Sequence, residues 1–180
     1  MPVPASDRFW TFSLAVYGTP GVAPALIGLQ DELGLDVNML LYCCWAGSEG
    51  RRLSRADLKT LDASTQAWQA EVVRPLRSLR RRLKAGFDDL PAEPVAALRR
   101  RISEAEIEGE RIAQAAMAAL LPAESNGDAG RGAVVVAANL QAYLRHSNRT
   151  IDGAVEAALR TILQGCCPGE SLEQVSFASA

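Results

Sequence analysis

The residues whose types could do chemistry are few: one histidine, His146, four cysteines in two adjacent pairs, and a run of glutamates from Glu104 to Glu110. A lone histidine excludes multi-histidine metal sites and leaves any serine or cysteine nucleophile dependent on His146 as its base. Near a helix end, His146 reads as a capping or surface group. Neighbouring residues on a helix project about 100° apart, so Cys43-Cys44 and Cys166-Cys167 each make a poor internal disulfide or metal clip, and no cysteine has zinc-ligand spacing. The first pair reads as two small core hydrophobes. The second, just before Pro168-Gly169, has an alternative as an exposed redox or metal-binding thiol pair. The glutamates alternate and so fan around a helix, with Glu104 and Glu108 on one face. Gly18, Gly21 and Gly28 lack the spacing of a phosphate-cradling loop, and a helix carrying Asp152, Glu156 and Arg160 is a poor match to a DNA-facing one. The sequence therefore assigns no catalytic residue, no metal ligand and no cofactor.

Arginine is the other chemical resource. It outnumbers lysine seventeen to two, and residues 74 to 101 hold nine basic and three acidic side chains in a chain whose net charge is −2. That total excludes a globally basic nucleic-acid binder but leaves room for a local basic patch. At 100° per residue Arg74, Arg77, Arg81 and Lys84 share a face opposite the apolar residues, which predicts that they point to solvent. With Arg80, Arg99 and Arg100 they form the expected anion- or partner-binding surface. No aromatic residue is interleaved with them, which counts against base stacking by RNA.

The elements that position these groups are helical. Thirty alanines against ten aromatic residues, with 48% apolar residues overall, favour helix over sheet. The pattern predicts an all-α, single-domain bundle of about six to seven helices with a core over about 6–121, a linker over about 122–132, a C-terminal helix pair over 133–165 and a loose tail over 168–180. Ser6 is expected to cap a first helix ending at Gly18, Gly34 to stop a second, Asp36 to cap a third, Ser54 with Asp57 to form a capping box, and Thr150 to cap a last helix from Ile151 to about Gln164. Trp68, Val72, Leu76, Leu79 and Leu83 fall within an arc of about 80°, and Pro75 within that stretch predicts a kink or break. A helix over about 92–121 should present Leu98, Ile102, Ala105, Gly109, Ile112, Ala116 and Leu120 on one face. The short turn at 86–91 makes an antiparallel hairpin in which positions i and 177 − i lie level. Trp68 then packs over Gly109, while the arginines of the first arm lie level with Arg99 to Arg101. The hairpin reads as basic at its tip and acidic along its shaft. Trp10 and Trp45, with Ser13, Tyr17, Asn38 and Tyr42, suggest a satisfied polar network in an apolar N-terminal third, with a small apolar pocket as the alternative.

Residues 9 to 30 carry no charge, yet Gly18, Pro20, Gly21 and Pro24 divide them into two segments too short to span a membrane. No membrane association and no secretory leader are expected, and the cysteine pattern fits a reducing cytoplasm. The wording of the N-terminal blocks is distinctive: Phe9-Trp10-Thr11-Phe12-Ser13-Leu14, Tyr17, Gly21-Val22, Leu29-Gln30-Asp31, Gly34-Leu35-Asp36-Val37-Asn38, Leu40-Leu41 and Trp45. Trp68, Val72-Val73, Pro75-Leu76-Arg77 and Arg80 add a second block. Over about residues 6 to 120 the chain resembles a family of small proteobacterial proteins classed as a domain of unknown function. The resemblance implies a cytoplasmic helical protein and brings no activity. The expected function is a non-enzymatic adaptor or regulatory module that binds a protein partner. RNA or ribosome binding through the basic tip is the alternative, and a small-ligand binder or enzyme comes third.

Overall fold

The third helix organises the molecule, because from Met39 to Ala46 every side chain is buried. A helix that is apolar on all sides must be surrounded. The structure, a computed structural model, describes residues 3–121 and 132–177, and its regular elements there are all helical. They are α1 (Ala5–Tyr17), α2 (Val22–Leu33), α3 (Val37–Ser48), α4 (Arg55–Trp68), α5 (Arg74–Lys84), α6 (Ala92–Ala118), α7 (Ala133–His146) and α8 (Gly153–Cys166). The expected linker lies outside the described residues except for Gly132.

Local signals set most boundaries. Asp36 accepts hydrogen bonds from the N–H groups of Asn38 and Met39 and starts α3, and Ser54 and Asp57 close a reciprocal capping box on α4. Gly34 ends α2 at φ +69°, a left-handed conformation that a Cβ would strain. Two caps differ from expectation. Pro4, not Ser6, precedes α1 and no side chain caps it. Asp152, not Thr150, caps α8, because its carboxylate reaches the N–H of Val155.

Around α3 the packing is close. Trp45 stacks on Phe9 of α1 at 4.9 Å between centroids, and Tyr42 meets both rings edge-on. On the other side α7 lies against α3, and a Cβ on Gly47 would sit 2.7 Å from the Val136 backbone. Asn139 of α7 pins the α3–α4 connection by accepting from Leu53 N–H and donating to the carbonyls of Cys43 and Arg51. The segment after α8 is not loose as far as Phe177. Val175 and Phe177 are buried, and Gln141 and Arg160 donate to the carbonyls of Ser176 and Val175. Irregular chain held by side-chain hydrogen bonds has no period for a sequence to display.

The stretch from Arg55 to Lys84 is one continuous helical run. Instead of a break at Pro75 there is a π turn, Gln69–Val73, directly before α5, with the Arg74 N–H donating to the Gln69 carbonyl five residues back. A wider turn accommodates a ring that lacks an N–H to donate. It also shifts the phase of everything after it, which bears directly on where the arginines point.

The approach of α3 to α7 gives a direct test. Gly47→Ala should destabilise the protein by about 2 kcal/mol or more through overpacking, while Gly28→Ala, where no atom lies within 4 Å of the added carbon, should be neutral or slightly stabilising. Urea unfolding of the two variants measures both effects.

Candidate functional site

The hairpin of α5 and α6 turns its charged side inward. Arg77 donates through Nε to Glu106 at 3.1 Å and through its terminal nitrogen to Glu110, while Arg80 grips Glu106 with Nε and Nη2. The Arg77 side chain is 19% exposed and that of Glu106 9%. The expectation that Arg77 points to solvent is therefore corrected, for two physical reasons. The π turn adds a residue to one turn and keeps Gln69, Val73 and Arg77, spaced by four, on the inner side. In addition, helical side chains lean toward their own N-terminus, so in this hairpin the side chains of α5 lean toward its base and those of α6 toward its tip. Arg77 thus meets Glu106 and not the Arg100 that the 177 − i register set opposite it. Glu106 and Glu110, also four apart, share this inward face, where only Glu104 and Glu108 were expected to share one. Trp68 does reach Gly109, donating its indole N–H to the Gly109 carbonyl at 2.9 Å, but the side chain that faces the missing Cβ is Val73, not the Trp68 ring.

The network continues into the core. Glu110 accepts from Asn38 of α3 at 2.6 Å and from Gln69 at 3.2 Å, and Gln114 donates to the Asn38 carbonyl oxygen at 2.9 Å. Burial works against the Glu106 charge, but the hydrogen bonds and charges of Arg80 and Arg77 more than offset it and hold the carboxyl below its ordinary range. Glu110 goes the other way: burial raises it, Arg77 opposes the rise and Asp36 adds to it. Two guanidinium groups and two carboxylates close on each other, so this floor is formally neutral, while Gln114 Oε1 beside it is buried without a hydrogen-bond partner.

Above the floor lies a half-open cleft of about 410 Å³ between α1, α2, α5 and α6. Trp10, Leu14, Tyr17, Ile27 and Ile107 form its apolar sides, and Arg77, Arg80, Glu106 and Glu110 its base. Trp10 lines it with the Arg111 guanidinium near its ring, whereas Trp45 and Tyr42 belong to the solid core. The N-terminal third thus divides into core and cleft. The expected polar network is incomplete: Asn38 is fully engaged, but Ser13 Oγ and Tyr42 Oη are buried with no hydrogen-bond partner.

The other expected site residues are dispersed. Arg81 pairs with Asp31 of α2 at the rim of the cleft, and Arg74, Lys84 and Arg100 are exposed. Arg99 is half-buried at the hairpin tip, its Nε without a partner. An aromatic residue does stand among the basic groups: Phe87, in the turn, is 38% exposed and carries the Arg82 guanidinium 3.9 Å above its ring. Sequence spacing missed it because stacking across a turn has no helical period.

The remaining candidates for chemistry are quiet. His146 faces Asp62 at 3.8 Å. All four cysteines are buried, Cys166-Cys167 included, so the exposed reading of that pair is corrected. Burial pushes the Cys43 thiol up, and hydrogen bonding with Cys166 together with burial does the same to Cys167. A raised thiol is a poor nucleophile. Among the described residues no three His, Cys, Asp or Glu side chains come together as a metal site, and no single helix is long and apolar enough to cross a membrane.

The Glu106 pairing predicts a pH signature. A carboxyl held below its unfolded value near 4.5 contributes stability that is present above that value and lost as pH falls through the folded pKa. Glu106→Gln should cost about 3 kcal/mol near neutrality, because it strands the Arg80 guanidinium and leaves Arg77 with Glu110 alone. The gap between wild type and variant should narrow below pH 4.5 in denaturant titrations at a series of pH values.

No curated protein and no solved structure matches the chain. A family model does, over residues 8–117, which takes in α1 through nearly the whole of α6 and therefore every wall of the cleft. The chain belongs to the family described as Protein of unknown function (DUF2390).

Proposed function

We propose that the protein is a non-enzymatic binding module that docks an apolar segment of a partner protein in the cleft between α1 and α6. One observation carries this reading. Leu14, Tyr17, Ile27 and Ile107 are 57%, 39%, 42% and 54% exposed, and all four line the same cleft. Exposed apolar groups gathered around a concavity and bordered by charge mark interaction sites. The closed ion-pair floor supports binding over acid–base work, since Arg77 and Arg80 hold Glu106 in its charged form. Four free cysteines are compatible with a reducing compartment, which we take to be the cytoplasm.

A second reading, RNA binding by the hairpin tip, draws support from Arg82 stacked on the exposed Phe87, with Lys84 and Arg99 lining the same hollow. Such binding weakens linearly in log affinity with log salt.

Pull-down from lysate after nuclease treatment separates the two. Leu14→Asp with Ile107→Asp should weaken partner capture by about 30-fold or more, as loss of a docking anchor does, while Arg82→Glu with Arg100→Glu should leave it intact. Capture that survives the first pair and is abolished by the second, or by nuclease, would favour the tip.

A further inference from the structure

Parts of the apolar stripes in the sequence are left uncovered by the rest of the fold. Leu79 of α5 is 44% exposed, and Leu98, Ile112 and Leu120 of α6 are 48%, 46% and 38% exposed. The buried arc of α6 instead runs through Glu106, Gly109, Ala113 and Met117, so the helix faces the core with its charge network and faces outward with its leucines and isoleucines. Leu79 on α5 and Leu98, Ile112 and Leu120 on α6 give the outer side of the hairpin its apolar strip.

The spacing on α6 is that of a coiled-coil seam. Leu98, Ala105 and Ile112 fall seven apart and are exposed, while Ile102, half-buried, and Ala116, exposed, stand at the alternate position, whose middle member, Gly109, is buried against Val73 within the hairpin. We propose that the occupant of this strip is a second copy of the chain, packed antiparallel on the outer face of the hairpin to form a four-helix bundle at the dimer centre. The charges beside the seam fix the choice. Arg101 and Glu108 border it seven residues apart, both exposed and without an ion pair among the described residues. Antiparallel pairing about an axis near Ala105 brings Arg101 of each copy to Glu108 of the other and sets Leu98 against Ile112. Parallel pairing would oppose like charges at both levels. The small Ala105 lets the helices approach closely where they cross.

The size is adequate. Twenty-seven residues of α6 make a face about 40 Å long, and two helices make it about 20 Å wide, on the order of 800 Å² on each copy, the area of a standard interface.

Sedimentation equilibrium of the full chain should return twice the monomer mass and a concentration-dependent dissociation. Arg101→Glu alone and Glu108→Arg alone should each weaken the dimer by roughly tenfold or more, since each opposes like charges twice. An equimolar mixture of these two single variants should associate as a heterodimer near wild-type strength, because every pair is then opposite in sign. Neither site lies in the core, and circular dichroism of each variant checks that the helices persist. Monomer at all concentrations, or a dimer indifferent to Arg101→Glu and not restored by mixing, would overturn the proposal.

Discussion

Pairing of Arg77 and Arg80 with Glu106 and Glu110 on the inner side of the α5–α6 hairpin is the constraint from which the rest follows. Charges enter a protein interior only when each finds its opposite and its hydrogen bonds, and here Asn38, Gln69 and Gln114 complete the set. Because the network occupies the side of the hairpin that faces α1 and α3, the apolar side must face out. The cleft above the ion pairs and the strip outside the hairpin are two consequences of one orientation.

That orientation also explains why a protein of ordinary composition has two exposed apolar regions. A helix with a single buried stripe hides its leucines and shows its charges. α6 buries Glu106 and Gln114 and shows Leu98, Ile107 and Ile112. Such an inversion costs stability in the isolated chain, and its retention is understandable if the exposed residues meet other surfaces. The two regions lie on different sides of α6, so a partner in the cleft and a second copy outside the hairpin can be bound together.

Features carried by short-range chemistry were legible in the sequence: the Asp36 cap, the Ser54–Asp57 box and the Gly34 stop. Each depends on residue types at fixed offsets. The inward turn of Arg77 and Arg80 was not legible, because a uniform 100° per residue carried through Gln69–Val73 loses phase at the π turn, and a backbone register ignores the lean of long side chains. Glu106 and Glu110 were in view, but their partners were placed a turn away. The packed segment ending at Phe177 had no period to read. The cleft was half legible: Trp10, Ser13, Tyr17 and Asn38 were grouped correctly, but Trp45 and Tyr42 belong to the core, and Ile107 stands on a helix read as facing elsewhere.

A double-mutant cycle on the unfolding free energy, with Arg77→Gln and Glu106→Gln singly and together, tests the inward pairing most directly. A buried, hydrogen-bonded pair predicts a coupling energy of about 2 kcal/mol or more. Coupling below about 0.5 kcal/mol, the value of an exposed pair, would mean that the arginines are solvated and that the hairpin does not turn its charges inward.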